Sequence, residues 1–105
     1  MKPESLELER DVEARLTKRC KEAGWYCRKF VSPGCRSVPD RVVIANGNAY
    51  FIELKAPGRV PRRDQLAEHA EIRAQGVEVV ILDTRSAVDA WCAGVAALIS
   101  GGGDA

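Results

Sequence analysis

Hydrophobic positions at the start of the chain recur with the spacing of a helix. Leu8, Val12, Leu16, Cys20 and Ala23 fall at i, i+4, i+8, i+12 and i+15, one face of a 3.6-residue period. The spacing predicts an amphipathic helix over 4–23, stopped by Gly24. The pattern then changes. Trp25–Val31 is aromatic and β-branched, which predicts a strand, and Ser32-Pro33-Gly34 breaks it into a loop over 32–39. Arg41–Ile44 and Ala49–Leu54 predict two further strands. Asn46-Gly47 between them is the dipeptide that best specifies a tight hairpin. Ala56-Pro57-Gly58 ends the second strand, and a helix is predicted over 61–75, with Pro61 in its first turn and Gly76 at its exit. Val77–Leu82 is a nearly continuous apolar run, as expected of a buried strand able to pair in parallel. Ser86 is placed to cap a last helix over 87–99, with Val88, Trp91, Cys92, Val95 and Leu98 on its apolar face.

The order is therefore α-β-β-β-α-β-α, an α/β fold with a mixed sheet flanked by helices. With 105 residues the chain is expected to form one domain over 1–100, followed by a flexible Gly-rich tail over 101–105. Trp25 and Trp91 are expected in the core.

Composition narrows the class. Apolar residues make up 46% of the chain and charged residues 30%, values of a folded domain rather than a disordered segment. No apolar run approaches the length of a membrane span. Met1-Lys2-Pro3-Glu4 carries no apolar stretch of the kind that opens an export signal, so the expectation is a cytoplasmic protein without a membrane partner. Cys20, Cys27, Cys35 and Cys92 match no zinc framework and are expected to be reduced, mostly buried thiols.

The net charge of +1 speaks against a generally basic nucleic-acid binder, but its distribution is uneven. Residues 1–63 carry 14 Lys/Arg against 8 Asp/Glu, and residues 64–105 carry 2 against 7. The basic half is rich in arginine, whose planar fork suits phosphate. The acidic excess, in the second helix and the C-terminal region, is expected to lie away from any bound substrate.

The hairpin gives the charges a place. If Asn46-Gly47 is a two-residue turn, Ala45 faces Asn48, and counting outward brings Asp40 opposite Glu53 on one face, with Cβ atoms about 4.5–5.5 Å apart. Lys55, two residues on, shares that face. Opposed carboxylates repel, and a divalent cation would offset the repulsion. The other reading makes Asp40 a strand-entry turn residue and Glu53–Lys55 a surface pair.

Val38-Pro39-Asp40 followed by Glu53-Leu54-Lys55 is the PD…(D/E)xK pattern of a nuclease superfamily. Its surroundings are Ser32-Pro33-Gly34, Arg41 directly after Asp40, Ala56-Pro57-Gly58 after Lys55, and Gln65 in the next helix. With these the chain resembles the VRR-NUC family, the virus-type replication-repair nucleases, in its stand-alone phage or prophage form. Ser37 stands where a glycine commonly precedes Val-Pro-Asp, which bears on loop flexibility and leaves the ligand positions intact.

The resemblance implies a restriction-endonuclease-like core and phosphodiester hydrolysis in DNA. It implies Mg²⁺ or Mn²⁺ held by Asp40, Glu53 and the Leu54 carbonyl, and no nucleotide cofactor. Lys55 would position or activate the attacking water, and Gln65 would orient the water or the lysine. The family also carries a glutamate on its first helix, here Glu9, with Glu13 as the alternative. At 100° per residue Glu9 falls within the apolar stripe, where an acid needs a partner such as Lys55. His69 shares a helix face with Gln65 and Ile72; it is read either as a rim residue or as a contact of the site. Arg36, Arg41, Arg59, Arg62 and Arg63 flank the pattern and are candidates for phosphate contacts. Stand-alone members resemble Holliday-junction resolvases acting as homodimers. The alternatives are a nuclease for flaps or other branched DNA, and a non-catalytic nucleic-acid-binding subunit.

Overall fold

A computed structural model describes residues 6–102. The elements are α1 (Glu9–Ala23), β1 (Tyr26–Lys29), β2 (Arg41–Ala45), β3 (Asn48–Leu54), α2 (Arg63–Ala74), β4 (Glu78–Leu82) and α3 (Arg85–Gly102), in the predicted order. The four strands form one sheet in the order β1-β2-β3-β4. β1 and β2 pair antiparallel, as do β2 and β3; β3 and β4 pair in parallel. A parallel pair needs a crossover, and α2 supplies it.

The hairpin forms as the turn chemistry requires. Asn46 and Gly47 both have positive φ, 50° and 84°, as a type I′ turn demands. Ala45 faces Asn48, and the register runs without a bulge to Arg41 opposite Ile52. One residue further out stand Asp40 and Glu53.

Alternation divides the sheet into two faces. Val43, Ile52, Leu54 and Leu82 join Val12, Leu16 and Cys20 of α1 and Val88 and Cys92 of α3 in one core. Trp25, Tyr50 and Trp91 close its edge, with Trp91 edge-on to both other rings. The opposite face carries Glu53 and Val79, both buried, where α2 lies. α2 covers only part of it: Tyr26, Ile44 and Ile81 on the same face remain exposed, and Phe30 packs on Phe51 there at 5.1 Å between ring centroids.

The structure moves several expected boundaries. α1 begins at Glu9, so residues 6–8 of the span expected from residue 4 are not part of it, and residues 4 and 5 lie outside the described residues. Glu7 is buried against the start of α3, where its carboxylate accepts from the Arg85 backbone N–H and side-chain Nε, so the chain at Glu7 is tied to α3 before the helix starts. Leu8, at the N-cap, and Ala23, in the last turn, are exposed, so the buried stripe contracts to Val12, Leu16 and Cys20. β1 stops at Lys29, short of Phe30 and Val31. Pro61 lies just before the N-cap Arg62, outside α2. Thr84, not Ser86, caps α3: its Oγ1 accepts from the Ala87 N–H at 2.9 Å. α3 also runs through Gly101 and Gly102, placed by the sequence in a tail; the rest of that tail lies outside the described residues.

Candidate active site

The site gathers at the C-terminal end of β3, beside the start of β2 and under the first turns of α2. Asp40 Oδ2 accepts the Leu54 backbone N–H at 2.7 Å, closing the open end of the hairpin with a side chain. Glu53 is 1% exposed. Its Oε2 accepts from Gln65 Nε2 at 2.9 Å and lies 3.2 Å from Lys55 Nζ. Lys55 Nζ also donates to Gln65 Oε1 at 2.9 Å, and the same oxygen accepts the Arg62 backbone N–H at 2.9 Å. Gln65 thus caps α2 and holds both charged partners with one amide.

The electrostatics follow from this packing. Burial pushes the Glu53 carboxyl above its ordinary value; Asp40 pushes it further, and Lys55 opposes. Glu9 lies at the first position of α1, exposed, on the rim of a cavity of about 400 Å³ shared with Lys55, Ala56, Arg59, Val60 and Arg62. Its carboxyl is also raised, first by partial burial and then by Asp40, against Lys55. The stripe argument expected Glu9 to be buried; at the end of the helix it overhangs the core instead. Glu13, the alternative acid, is engaged elsewhere, accepting from Arg41 Nε at 3.0 Å.

Among the described residues, no group of three or more His, Cys, Asp or Glu side chains converges to hold a metal. Magnesium does not need one, since it takes one or two carboxylates together with carbonyls and waters. The donors present suit it. Glu53 Oε1 is buried without a hydrogen-bond partner, and Asp40 raises the cost of charge on Glu53, which a cation would relieve. Asp40, Glu53 and the Leu54 carbonyl are the residues that would hold it.

The arginines separate. Arg59 and Arg62 line the cavity, and Arg63 is exposed. Arg36 is exposed and lies 3.7 Å from Asp64, which also accepts from Arg62 at 3.1 Å. The acidic half is therefore not wholly distant from the candidate substrate surface, contrary to expectation: Asp64 stands among these arginines. Arg41 points to the other face of the sheet, toward Glu13 and Cys27, and its side chain is only 14% exposed. That environment is a poor one for phosphate contact. His69 is wholly buried beside Glu53, and burial, followed by Arg73 and Lys55, holds its pKa below the ordinary value.

No known family's sequence profile matches the chain. A protein of Acyrthosiphon pisum secondary endosymbiont phage 1, named "Putative nuclease p44", is 45% identical to it over 78 residues, 73% of this chain and 84% of the phage protein. A solved structure titled "VRR_NUC domain" superposes with a TM-score of 0.72 at 29% identity, covering 77% of this chain and 89% of that one. A hairpin that aligns Asp40 with Glu53 and Lys55, a glutamine that clasps the last two, a shared fold and a phage relative this similar agree with one another: the chain belongs to the VRR-NUC nuclease family.

Proposed function

We propose that the protein is a divalent-cation-dependent endonuclease that cuts branched DNA, four-way junctions in particular, as a homodimer. The observation that carries this reading is the Asp40–Glu53–Lys55–Gln65 cluster, whose Lys55 lines a cavity with two arginines in its wall. A bound Mg²⁺ or Mn²⁺ would supply Lewis acidity toward the phosphate.

The chain's own residues supply the rest. Lys55, anchored by Gln65, aims its ammonium at the negative charge that develops on the phosphate oxygens. Glu9, which lines the same cavity as Lys55 and has a raised pKa, is placed to exchange a proton with a water there. Arg59 and Arg62 hold the backbone phosphate in register, with Arg36 and Arg63 further along. One chain carries one such cluster, and symmetric cleavage of both strands of a junction needs two, so a two-fold dimer follows from the chemistry. The sheet face that α2 leaves uncovered, with Tyr26, Ile44 and Ile81 exposed, offers apolar surface for that pairing.

The test is cleavage of a synthetic four-way junction with Mg²⁺, with a flap substrate alongside and the mass in solution taken by light scattering. A dimer that cuts the junction is expected, with Lys55→Ala and Glu53→Ala each slower by roughly 10²–10³-fold or more. Parental cleavage by both variants, or cleavage undiminished in chelator, overturns the mechanism. A monomer that cuts flaps and ignores junctions overturns the substrate.

A further inference from the structure

His69 follows Gln65 by one helical turn on the same face of α2, and both side chains are buried. Neither ring nitrogen of His69 has a hydrogen-bond partner, and neither has Oε1 of Glu53. The imidazole Nε2 stands 3.6 Å from that oxygen, a few tenths of an ångström beyond a good hydrogen bond. Leaving a buried polar group unsatisfied costs about 1–3 kcal/mol. An apolar side chain would fill the same space without that cost, so the imidazole is informative where it stands. Gln65 already donates to the other oxygen, Oε2, at 2.9 Å. One helix face thus presents two donors, four residues apart, to the two oxygens of one carboxylate.

We propose that His69 is a positioning residue for Glu53: its Nε2–H donates to Oε1 and, with Gln65 on Oε2, fixes the orientation in which the carboxylate receives a divalent cation. The proposal rests on the cation-dependent reading above. A carboxylate oxygen has two lone-pair sites, so the bond from His69 leaves one open. Hydrogen bonds in such sites are commonly long without ligands and tighten when the ligands arrive. His69 is wholly buried and acts through Glu53.

The experiment is titration of the full chain with Mn²⁺, followed by the electron paramagnetic resonance signal of the free ion, on the parent, His69→Leu, His69→Gln and Asp40→Asn. Partners that orient a ligand are worth roughly 10–100-fold in metal affinity, so His69→Leu should bind Mn²⁺ weaker by that factor. His69→Gln, which keeps a donor at similar reach, should recover affinity to within a few-fold. Melting in chelator separates this from a packing role: His69→Leu should melt no lower than the parent, because it removes two unpaired nitrogens from the interior. If His69→Leu does not fold, His69→Met replaces it with the same expected loss. Parental affinity in the apolar variant overturns the proposal, and so does a glutamine variant as weak as leucine. A parent without Asp40-dependent Mn²⁺ binding overturns the cation-dependent reading itself, which is a different result from a parent that binds and a leucine variant that binds equally.

Discussion

At the scale of single residues, the costs concentrate on Glu53. Its carboxyl is buried and faces Asp40, and both raise its pKa above the ordinary 4.5. A carboxyl whose folded pKa exceeds the unfolded one favours the fold most while protonated. That stability is complete below the unfolded pKa and is lost as pH rises through the folded one. Glu9 shifts in the same direction for similar causes. In chelator, Glu53→Gln should therefore melt a few degrees above the parent near pH 7, and the gap should close as pH falls toward 4. Circular-dichroism melts across that range measure it, and a gap that widens toward acid would count against the burial argument. Added Mn²⁺ should stabilise the parent and leave the variant nearly unmoved, since a ligand stabilises only the state that binds it. Counting from the Asn46-Gly47 turn is enough to bring Asp40 and Glu53 together. The same count, carried through, also puts Arg41 on the other face of the sheet from Asp40, because alternation puts neighbouring residues of a strand on opposite faces. The burial of His69 cannot be read that way. Helical spacing says which residues share a face with Gln65, but not which face a sheet will cover.

At the scale of elements, the sequence is clearest where a backbone conformation admits few residues and least clear where several side chains can do the same work. The hairpin is of the first kind. Gly47 has φ 84°, and a Cβ added there would have nothing within 4 Å, so an alanine meets backbone strain alone. The left-handed region costs a non-glycine residue roughly 1–2 kcal/mol. Gly94, exposed in the middle of α3 with equally open surroundings and no positive φ, poses the opposite case. Gly47→Ala should lose about 1–2 kcal/mol and Gly94→Ala should gain roughly 0.5–1 kcal/mol. Urea unfolding of the two variants beside the parent reads both signs, and destabilisation by both would show that α3 needs its glycine for a reason other than conformation. Helix ends are of the second kind. Thr84 and Ser86 are both good caps, two residues apart, and Glu7 decides between them by binding the first turn of α3 at Arg85. The start of α1 is illegible in the sequence for the same reason, since Glu7 answers to a partner 78 residues away.

At the scale of the whole molecule, the near-neutral charge conceals a local field. Arg59 and Arg62 stand in the cavity wall beside Lys55, whereas Arg41, grouped with them by sequence position, is partly buried and paired with Glu13 of α1. Asp64 tempers two members of the group, Arg36 and Arg62, so the field is narrower than fourteen basic residues in the first 63 would imply. Binding to duplex arms should then depend on salt through a few contacts only. Each phosphate neutralised contributes about −0.9 to the slope of log affinity against log salt. Replacing Arg59 and Arg62 together by alanine should make the slope for a four-way junction shallower by about 2, since each phosphate-contacting residue accounts for roughly 1. Arg41→Ala should leave the slope where it was, even if it lowers stability by stranding Glu13. Fluorescence anisotropy with a labelled junction in Ca²⁺, which permits binding without assuming cleavage, measures all three proteins over a salt series. If the slope falls as far for Arg41→Ala as for one of the cavity arginines, the DNA does not follow the face on which Asp40, Glu53 and Lys55 lie, and the path drawn through the cavity is wrong.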